Sequence, residues 1–358
     1  MNFKKLTILA ISSAFLFTSC NNDDDNTIIT EPLGDYENGV LILNQGNFGT
    51  SNSSISFLSN DFSVFENNAF LAVNPNEELG DTAQDIGFYE DKAFVILNNS
   101  AIIQVLNRYT LQLIETIDAG LHNPRHIAFS NGKGYVTNWG DGGDPNDDYV
   151  AVINLSNYTV STTIPVIEGP EKIIAHEGKL YVAHQGGYGY GESVSVITAS
   201  NNQVSNTIEV GDVPNSLAIH NNILYVLNGG KPSWTGSETS GSLSKINLLN
   251  NDVTTLDFSS TVHPSNFVIA NNKMYFTVDA AIYETSTSAT TLPTTSIFST
   301  TSQGVYGIYS FAVRNNKVYV GDAVDYNSNG KVYVYSLTGT LETQKTVGII
   351  PTGFYFNN

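Results

Sequence analysis

Asn131-Gly132-Lys133-Gly134-Tyr135-Val136-Thr137-Asn138 decides the fold, because variants of it recur down the chain at a nearly fixed interval. The related runs are Glu90-Asp91-Lys92-Ala93-Phe94-Val95, Glu177-Gly178-Lys179-Leu180-Tyr181-Val182, Asn221-Asn222-Ile223-Leu224-Tyr225-Val226, Asn271-Asn272-Lys273-Met274-Tyr275-Phe276 and Asn315-Asn316-Lys317-Val318-Tyr319-Val320. Their middle residues fall at 92, 133, 179, 223, 273 and 317, giving intervals of 41, 46, 44, 50 and 44. That period belongs to four-stranded blades rather than to helical solenoids. In each run two turn-forming residues reverse the chain, and an aromatic or β-branched segment then enters a buried strand. A Tyr or Phe at one fixed blade position packs between neighbouring sheets, where full burial of such a side chain is worth about 1.5–3 kcal/mol.

Composition agrees with an all-β chain: 41% hydrophobic residues, 19 Tyr, 18 Phe and only two Met, with Asn, Ser and Thr where turns would lie. The expected architecture is a seven-bladed β-propeller of four-stranded antiparallel blades. Blades two to seven run over about 82–119, 125–166, 171–211, 215–258, 265–298 and 306–347. Two fragments remain, Gly39–Asn44 with Ile55–Leu58 at the front and Pro351–Phe356 at the back. The tail matches the start of other blades, such as Pro214-Asn215-Ser216-Leu217, so it supplies the innermost strand of the first blade. Closing the ring in this way removes exposed sheet edges.

The N-terminus reads as a targeting segment, with Lys4 and Lys5 before the short apolar stretch 6–17. Leu16-Phe17-Thr18-Ser19-Cys20 resembles a bacterial lipobox, which makes Cys20, the only cysteine, the expected lipidated first residue of the mature chain. The alternative is an unused thiol in a simple secretory signal. The expected division is a lipoprotein signal peptide over 1–19, a lipidated cysteine and acidic tether over 20–37, and the propeller over 38–358. Asn21-Asn22-Asp23-Asp24-Asp25-Asn26 is too polar to fold alone. The chain carries a net charge of −19, and loss of Lys4 and Lys5 leaves the mature chain near −21. With no basic stripe to offset that charge, a nucleic-acid partner is excluded.

Tyr135-Val136-Thr137-Asn138 copies the signature of the YVTN propeller repeat. Leu79-Gly80-Asp81-Thr82-Ala83-Gln84-Asp85-Ile86, Asn98-Asn99-Ser100, His122-Asn123-Pro124-Arg125-His126-Ile127 and the opening Asn44-Gln45-Gly46-Asn47-Phe48-Gly49 add to the likeness. Together these stretches resemble a Bacteroidetes family of YncE-like surface lipoproteins with seven-bladed propellers. The acidic run after Cys20 resembles the export signal of that phylum for the outer face of the outer membrane. The resemblance implies an extracellular-facing, lipid-anchored protein that binds a nutrient, cobalamin or another corrinoid, and partners a TonB-dependent transporter. It carries no residue-by-residue ligand pattern.

In a propeller, loops between the second and third strands share a face with loops that lead into the innermost strand. On that face the longer loops carry Phe48, Trp139, Tyr188, Tyr190, Trp234 and Tyr326, including both tryptophans of the chain. Aromatics on Gly-rich loops are not needed to fill a blade core and suit a flat, partly apolar ligand. The starts of the inner strands add Gln84, Asp85, Arg125, His126, Glu171, Lys172, Asn215, Ser216, Ser265 and Asn266 around the axial mouth. Such groups can bond the amides fringing a corrinoid, or simply terminate strands. His126 and His184 could approach a metal centre, but as loop histidines they read more simply as polar surface residues. An adhesion or protein-interaction propeller without a small ligand is the second functional class.

A calcium-dependent lactonase-like hydrolase is the third. It would rest on Asp85, Glu171, Asn215 and Asn266 as oxygen ligands. Glu171 and Asn215 hold one position of the repeat and Asp85 and Asn266 the next, so simple strand alternation should turn them apart. Asp325-Tyr326-Asn327-Ser328-Asn329-Gly330 resembles the start of a calcium loop but has Ser336 where the closing Glu belongs. Asp141, Asp144, Asp147 and Asp148 pose the same question. No nucleophile elbow, zinc-spaced Cys or His cluster or haem motif occurs, so the expectation is a binding protein with no cofactor and no catalytic residue.

Overall fold

The computed structural model describes residues 33–358. The leader, Cys20 and the acidic run 21–26 lie outside the described residues. Seven four-stranded antiparallel sheets follow one another in the chain. Blade two, from the axis outward, is Ala83–Tyr89, Lys92–Leu97, Ile102–Asn107 and Leu113–Ile117. Blades three to seven repeat that order with inner strands Pro124–Ser130, Pro170–His176, Pro214–His220, Ser265–Ala270 and Ser310–Arg314. In blade one the C-terminal strand Pro351–Asn357 pairs with Gly39–Asn44, Gly39 standing opposite Asn357. The ring closes as the repeat implies. Among the described residues no helix is long and apolar enough to cross a membrane.

The hairpins explain why the quoted stretch fixes the fold. In Asn131-Gly132 both residues have positive φ, 51° and 70°, and Asn221-Asn222, Asn271-Asn272 and Asn315-Asn316 do likewise. Two such residues in succession match the twist of the strands they join, and Asn and Gly tolerate that conformation best. The aromatic that follows is buried each time, from Phe94, Tyr135 and Tyr181 to Tyr225, Tyr275 and Tyr319. Tyr135 reaches across to the next blade, its hydroxyl donating to the Ala199 carbonyl at 3.1 Å, and Tyr225 donates to Thr287 at 3.3 Å.

The last residue of the motif has a different task. Asn44, Asn138, His184 and Asn228 end their second strands fully buried. Asn138 donates to the Val136 carbonyl at 2.9 Å, Asn44 to the Ser56 hydroxyl at 3.0 Å, and His184 Nε2 lies 2.8 Å from Ser195 Oγ. They close the top of four blades with a polar side chain, bonded to a backbone carbonyl in Asn138 and to a hydroxyl of the third strand in Asn44 and His184.

Two departures sit at the edges. Blade one has an outer strand of only two residues, Phe65–Glu66, followed by the helix Ala69–Val73. The Ser- and Thr-rich segment of blade six yields only Phe298–Ser299 as an outer strand. Residues 33–37, read as tether, are docked instead: Tyr36 is buried, packs edge-on against Phe57 at 5.3 Å and accepts a hydrogen bond from Asn357 at 2.7 Å. Asn357 ends an inner strand, so the chain joins the ring on the face that carries the inner hairpins. The opposite face carries the loops into the inner strands.

Candidate functional site

Every inner strand begins at that opposite face, and two successive residues of each form two rings about the axis. The first ring is Gln84, Arg125, Glu171, Asn215, Ser265, Tyr309 and Thr352; the second is Asp85, His126, Lys172, Ser216, Asn266, Ser310 and Gly353. The pairing register slips between the rings and the strands beyond in six of the seven blades, as between Ala83 and Asp85 and between Pro170 and Ile173. A bulge re-aims a side chain that simple alternation would turn away. The expectation that Asp85 and Glu171 diverge is therefore wrong, for both reach His126.

That histidine is the centre of a continuous polar chain. His126 Nδ1 lies 3.3 Å from Asp85 Oδ2 and His126 Nε2 lies 3.2 Å from Glu171 Oε1. Asp85 also accepts from the Tyr355 hydroxyl at 3.0 Å and the Ile127 amide at 3.0 Å. The Tyr355 ring has room because Gly353 has no side chain; a β-carbon there would stand 2.6 Å from the hydroxyl. Arg125 grips Glu171 with two bonds, Nε to Oε2 at 2.8 Å and the terminal nitrogen to Oε1 at 3.0 Å. Burial works against both carboxylates, yet the charge of Arg125 with the His126 contact holds Glu171 well below the usual range, and His126 with Lys172 holds Asp85 low. His126 is thus buried among carboxylates rather than a surface residue. His184 is buried too, and burial lowers it to about 4.

The outer end of this chain forms a hollow. The Arg125 guanidinium lies 4.2 Å from the centre of the Trp139 ring, whose indole nitrogen donates to the Pro170 carbonyl at 3.1 Å. Tyr188 meets Trp139 edge-on at 6.3 Å and lies over Gly142, where a β-carbon would stand 2.5 Å from its ring. Phe48, Gln84, Arg125, Trp139 and Tyr188 line a cavity of about 540 Å³, with Gln45, Asn98, Asn99, His122 and Tyr309 completing the wall. Phe48 is 76% exposed and Tyr188 81% exposed. Of the proposed aromatics, then, three come together.

The others do not line it. Tyr326 stands behind the wall, edge-on to Tyr309 at 5.8 Å. Trp234 lies in the short 3-10 turn Ser233–Thr235 of blade five, 82% exposed and away from the hollow, and Tyr190 is half-exposed in the loop that carries Tyr188. Asp85, His126, Lys172 and Asn266 line the axial channel, about 380 Å³, which all seven inner strands enclose. Asn215 and Asn266 donate their amides to the Pro264 and Ile308 carbonyls, at 2.9 and 3.0 Å.

Sequence reasoning missed Tyr309 and Tyr355. Blades three to six and the tail announce their inner strands with Pro124, Pro170, Pro214, Pro264 and Pro351, but Tyr309 follows Ile308, which hides its place in the ring. Its hydroxyl donates to Gln45 at 2.8 Å, and burial beside Tyr326 pushes it up to about 12.

The candidate calcium loops serve themselves. Asp325 accepts the amides of Asn327 and Ser328, at 3.0 and 2.6 Å. Asp141, Asp144 and Asp147 likewise bond Gly143, Asn146 and Asp141 amides. Among the described residues no group of three or more His, Cys, Asp or Glu side chains is placed to hold a metal.

The fold is shared widely. A quinonprotein alcohol dehydrogenase-like protein from Bacteroides thetaiotaomicron superposes with a TM-score of 0.64 at 14% identity, covering 90% of this chain and 79% of that one. A functionally unknown protein from Desulfotomaculum acetoxidans gives 0.62 at 12% identity, with 89% and 98% covered. Hydrazine synthase from Kuenenia stuttgartiensis gives 0.61 at 13%, with 86% and 98% covered. At such identities these likenesses speak for the propeller alone. No curated protein matches the sequence. Residues 38–356 match the model of DUF5074, a domain of unknown function, and the chain belongs to that family.

Proposed function

We propose that this propeller is a non-enzymatic binding protein that takes a small, partly flat nutrient into the hollow of blades one to four and seven. The observation that carries the reading is the hollow itself. Two exposed aromatics, Phe48 and Tyr188, rim a cavity whose floor is an arginine stacked on a tryptophan. Neither rim aromatic fills a blade core, and exposed rings beside convergent polar groups are what a ligand face requires. The volume lies within the usual range of ligand pockets, roughly 300–1,000 Å³. A corrinoid is the ligand class we favour, lying across the hollow with its amides toward Gln84, Asn98 and Asn99.

The placement follows from the sequence signals. Lipidation at Cys20 anchors the chain to the outer membrane, facing outward, and the acidic run acts as tether. Residues 33–38 join the ring on the face opposite the hollow. From there the ligand passes to a TonB-dependent transporter.

Calorimetric titration of the chain starting at Asn21 with cyanocobalamin tests the reading. Saturable one-to-one heat that falls at least tenfold in affinity in Trp139→Ala supports it. Absence of heat, or heat unchanged in that variant, overturns the corrinoid assignment at this face.

A further inference from the structure

The inner edges of the inner strands face the axial channel, and their amides need acceptors there. The preceding blade supplies one in places. Asp85 of blade two accepts from the Ile127 amide of blade three at 3.0 Å, and Ser216 of blade five accepts from the Phe267 amide of blade six at 3.3 Å. Ile127 stands opposite Val136 in its hairpin and turns its amide to the axis. Ile173 opposite Val182 and Leu217 opposite Val226 hold the same register position in blades four and five. Successive residues of an antiparallel strand turn their amides alternately toward the partner strand and away from it, so the shared register position turns these amides to the axis as well.

Their neighbours cannot serve them. His126, before Ile173, has both ring nitrogens engaged by Asp85 and Glu171. Lys172, before Leu217, carries only donors. The Lys172 ammonium lines the channel and has no hydrogen bond or ion pair among the described residues. The carboxylates nearest to it are turned elsewhere: Glu171 to Arg125 and His126, Asp85 to His126, Tyr355 and Ile127. Nearby Ser310 donates to the Pro351 carbonyl at 2.6 Å, and Ser216 donates to Asn215 at 2.9 Å. One side of the channel thus gathers an unpaired cation and axis-facing amides with no acceptor. Burial lowers the lysine's affinity for its proton, against the pull of Asp85 and Glu171.

We propose that the axial channel holds a small carboxylate on the side of blades four and five, bound by the Lys172 ammonium and the amides of Ile173 and Leu217. This site is separate from the hollow, on the other side of the Arg125–Glu171 pair, and stands whether or not the hollow takes a corrinoid. A channel of about 380 Å³ admits a short-chain acid and not a macrocycle.

The test is titration of 15N-labelled protein with sodium acetate, against sodium chloride at equal ionic strength. Saturable shifts at the Ile173 and Leu217 amides, with thermal stabilisation by acetate alone, are expected. Lys172→Met loses both responses. Lys172→Gln, whose amide oxygen supplies an acceptor to Leu217, also loses the acetate response but melts higher than Lys172→Met in acetate-free buffer. Shifts in wild type that are absent, equal in chloride, or retained in Lys172→Met overturn the proposal.

Discussion

The two ends of the inner strands obey different rules. At the hairpin end most blades repeat one solution: a left-handed pair such as Asn131-Gly132 or Asn315-Asn316, then a buried aromatic. At the other end, seven equivalent positions carry Gln84, Arg125, Glu171, Asn215, Ser265, Tyr309 and Thr352. Repetition makes the ring, and its breakdown at one end makes one side of the ring unlike the other. Blades two to four and the C-terminal strand concentrate charge and aromatics, whereas blades five and six offer Asn215 and Asn266 bonded to backbone carbonyls, with Ser216 and Ser265 bonded to side chains.

The largest expected effect falls on that charged side. Arg125→Ala leaves Glu171 without its bidentate partner in a buried place, and such losses cost about 3–5 kcal/mol. Asn215→Ala in the polar half should cost only about 1 kcal/mol, the worth of one hydrogen bond. Urea unfolding of the two variants measures the contrast; equal losses would erase it.

His184 sharpens the same comparison from the scaffold side. It occupies the place that Asn138 and Asn228 fill in neighbouring blades, and burial lowers it to about 4. The folded state then binds fewer protons than the unfolded chain between about pH 6.5 and 4, so its contribution is full above pH 6.5 and is lost as pH falls through that window. His184→Asn, the residue of the other blades, should remove about 3 kcal/mol of acid-dependent loss and leave the fold intact. Parallel stability curves for the two proteins over that window would contradict it.

Tyr355→Phe is a smaller test. It removes one hydrogen bond to Asp85 while leaving Ile127 and His126 as its partners, and should cost about 1 kcal/mol by thermal unfolding. Smallest of all is Phe48→Ala: an exposed ring outside the blade cores should change stability by less than about 0.5 kcal/mol while weakening ligand capture. A large stability loss would mark Phe48 as scaffold.

The ring was legible because each hairpin declares itself locally: the turn residues, the aromatic and the following β-branched segment lie within eight positions, and the tail at Pro351 repeats a blade start. The site was legible in part for the same reason, since Pro124 and Pro170 mark where Arg125 and Glu171 begin their strands. Tyr309 lacked that mark. The bulges that bring Asp85 and Glu171 onto His126 arise in register rather than composition, and alternation misjudged them. The gathering of Tyr188 onto Trp139, while Trp234 stays apart, depends on how a Gly-rich loop folds over Gly142, which no local pattern specifies.

The asymmetric hollow can be watched directly, because the chain has two tryptophans and only one lines it. In Trp234→Phe, Trp139 becomes the sole reporter, and its fluorescence should change saturably on cyanocobalamin addition at one ligand per chain, with the change reduced by Tyr188→Ala. An emission that follows only the ligand's own light absorption, identical in the Tyr188→Ala background, would contradict ligand capture in the hollow.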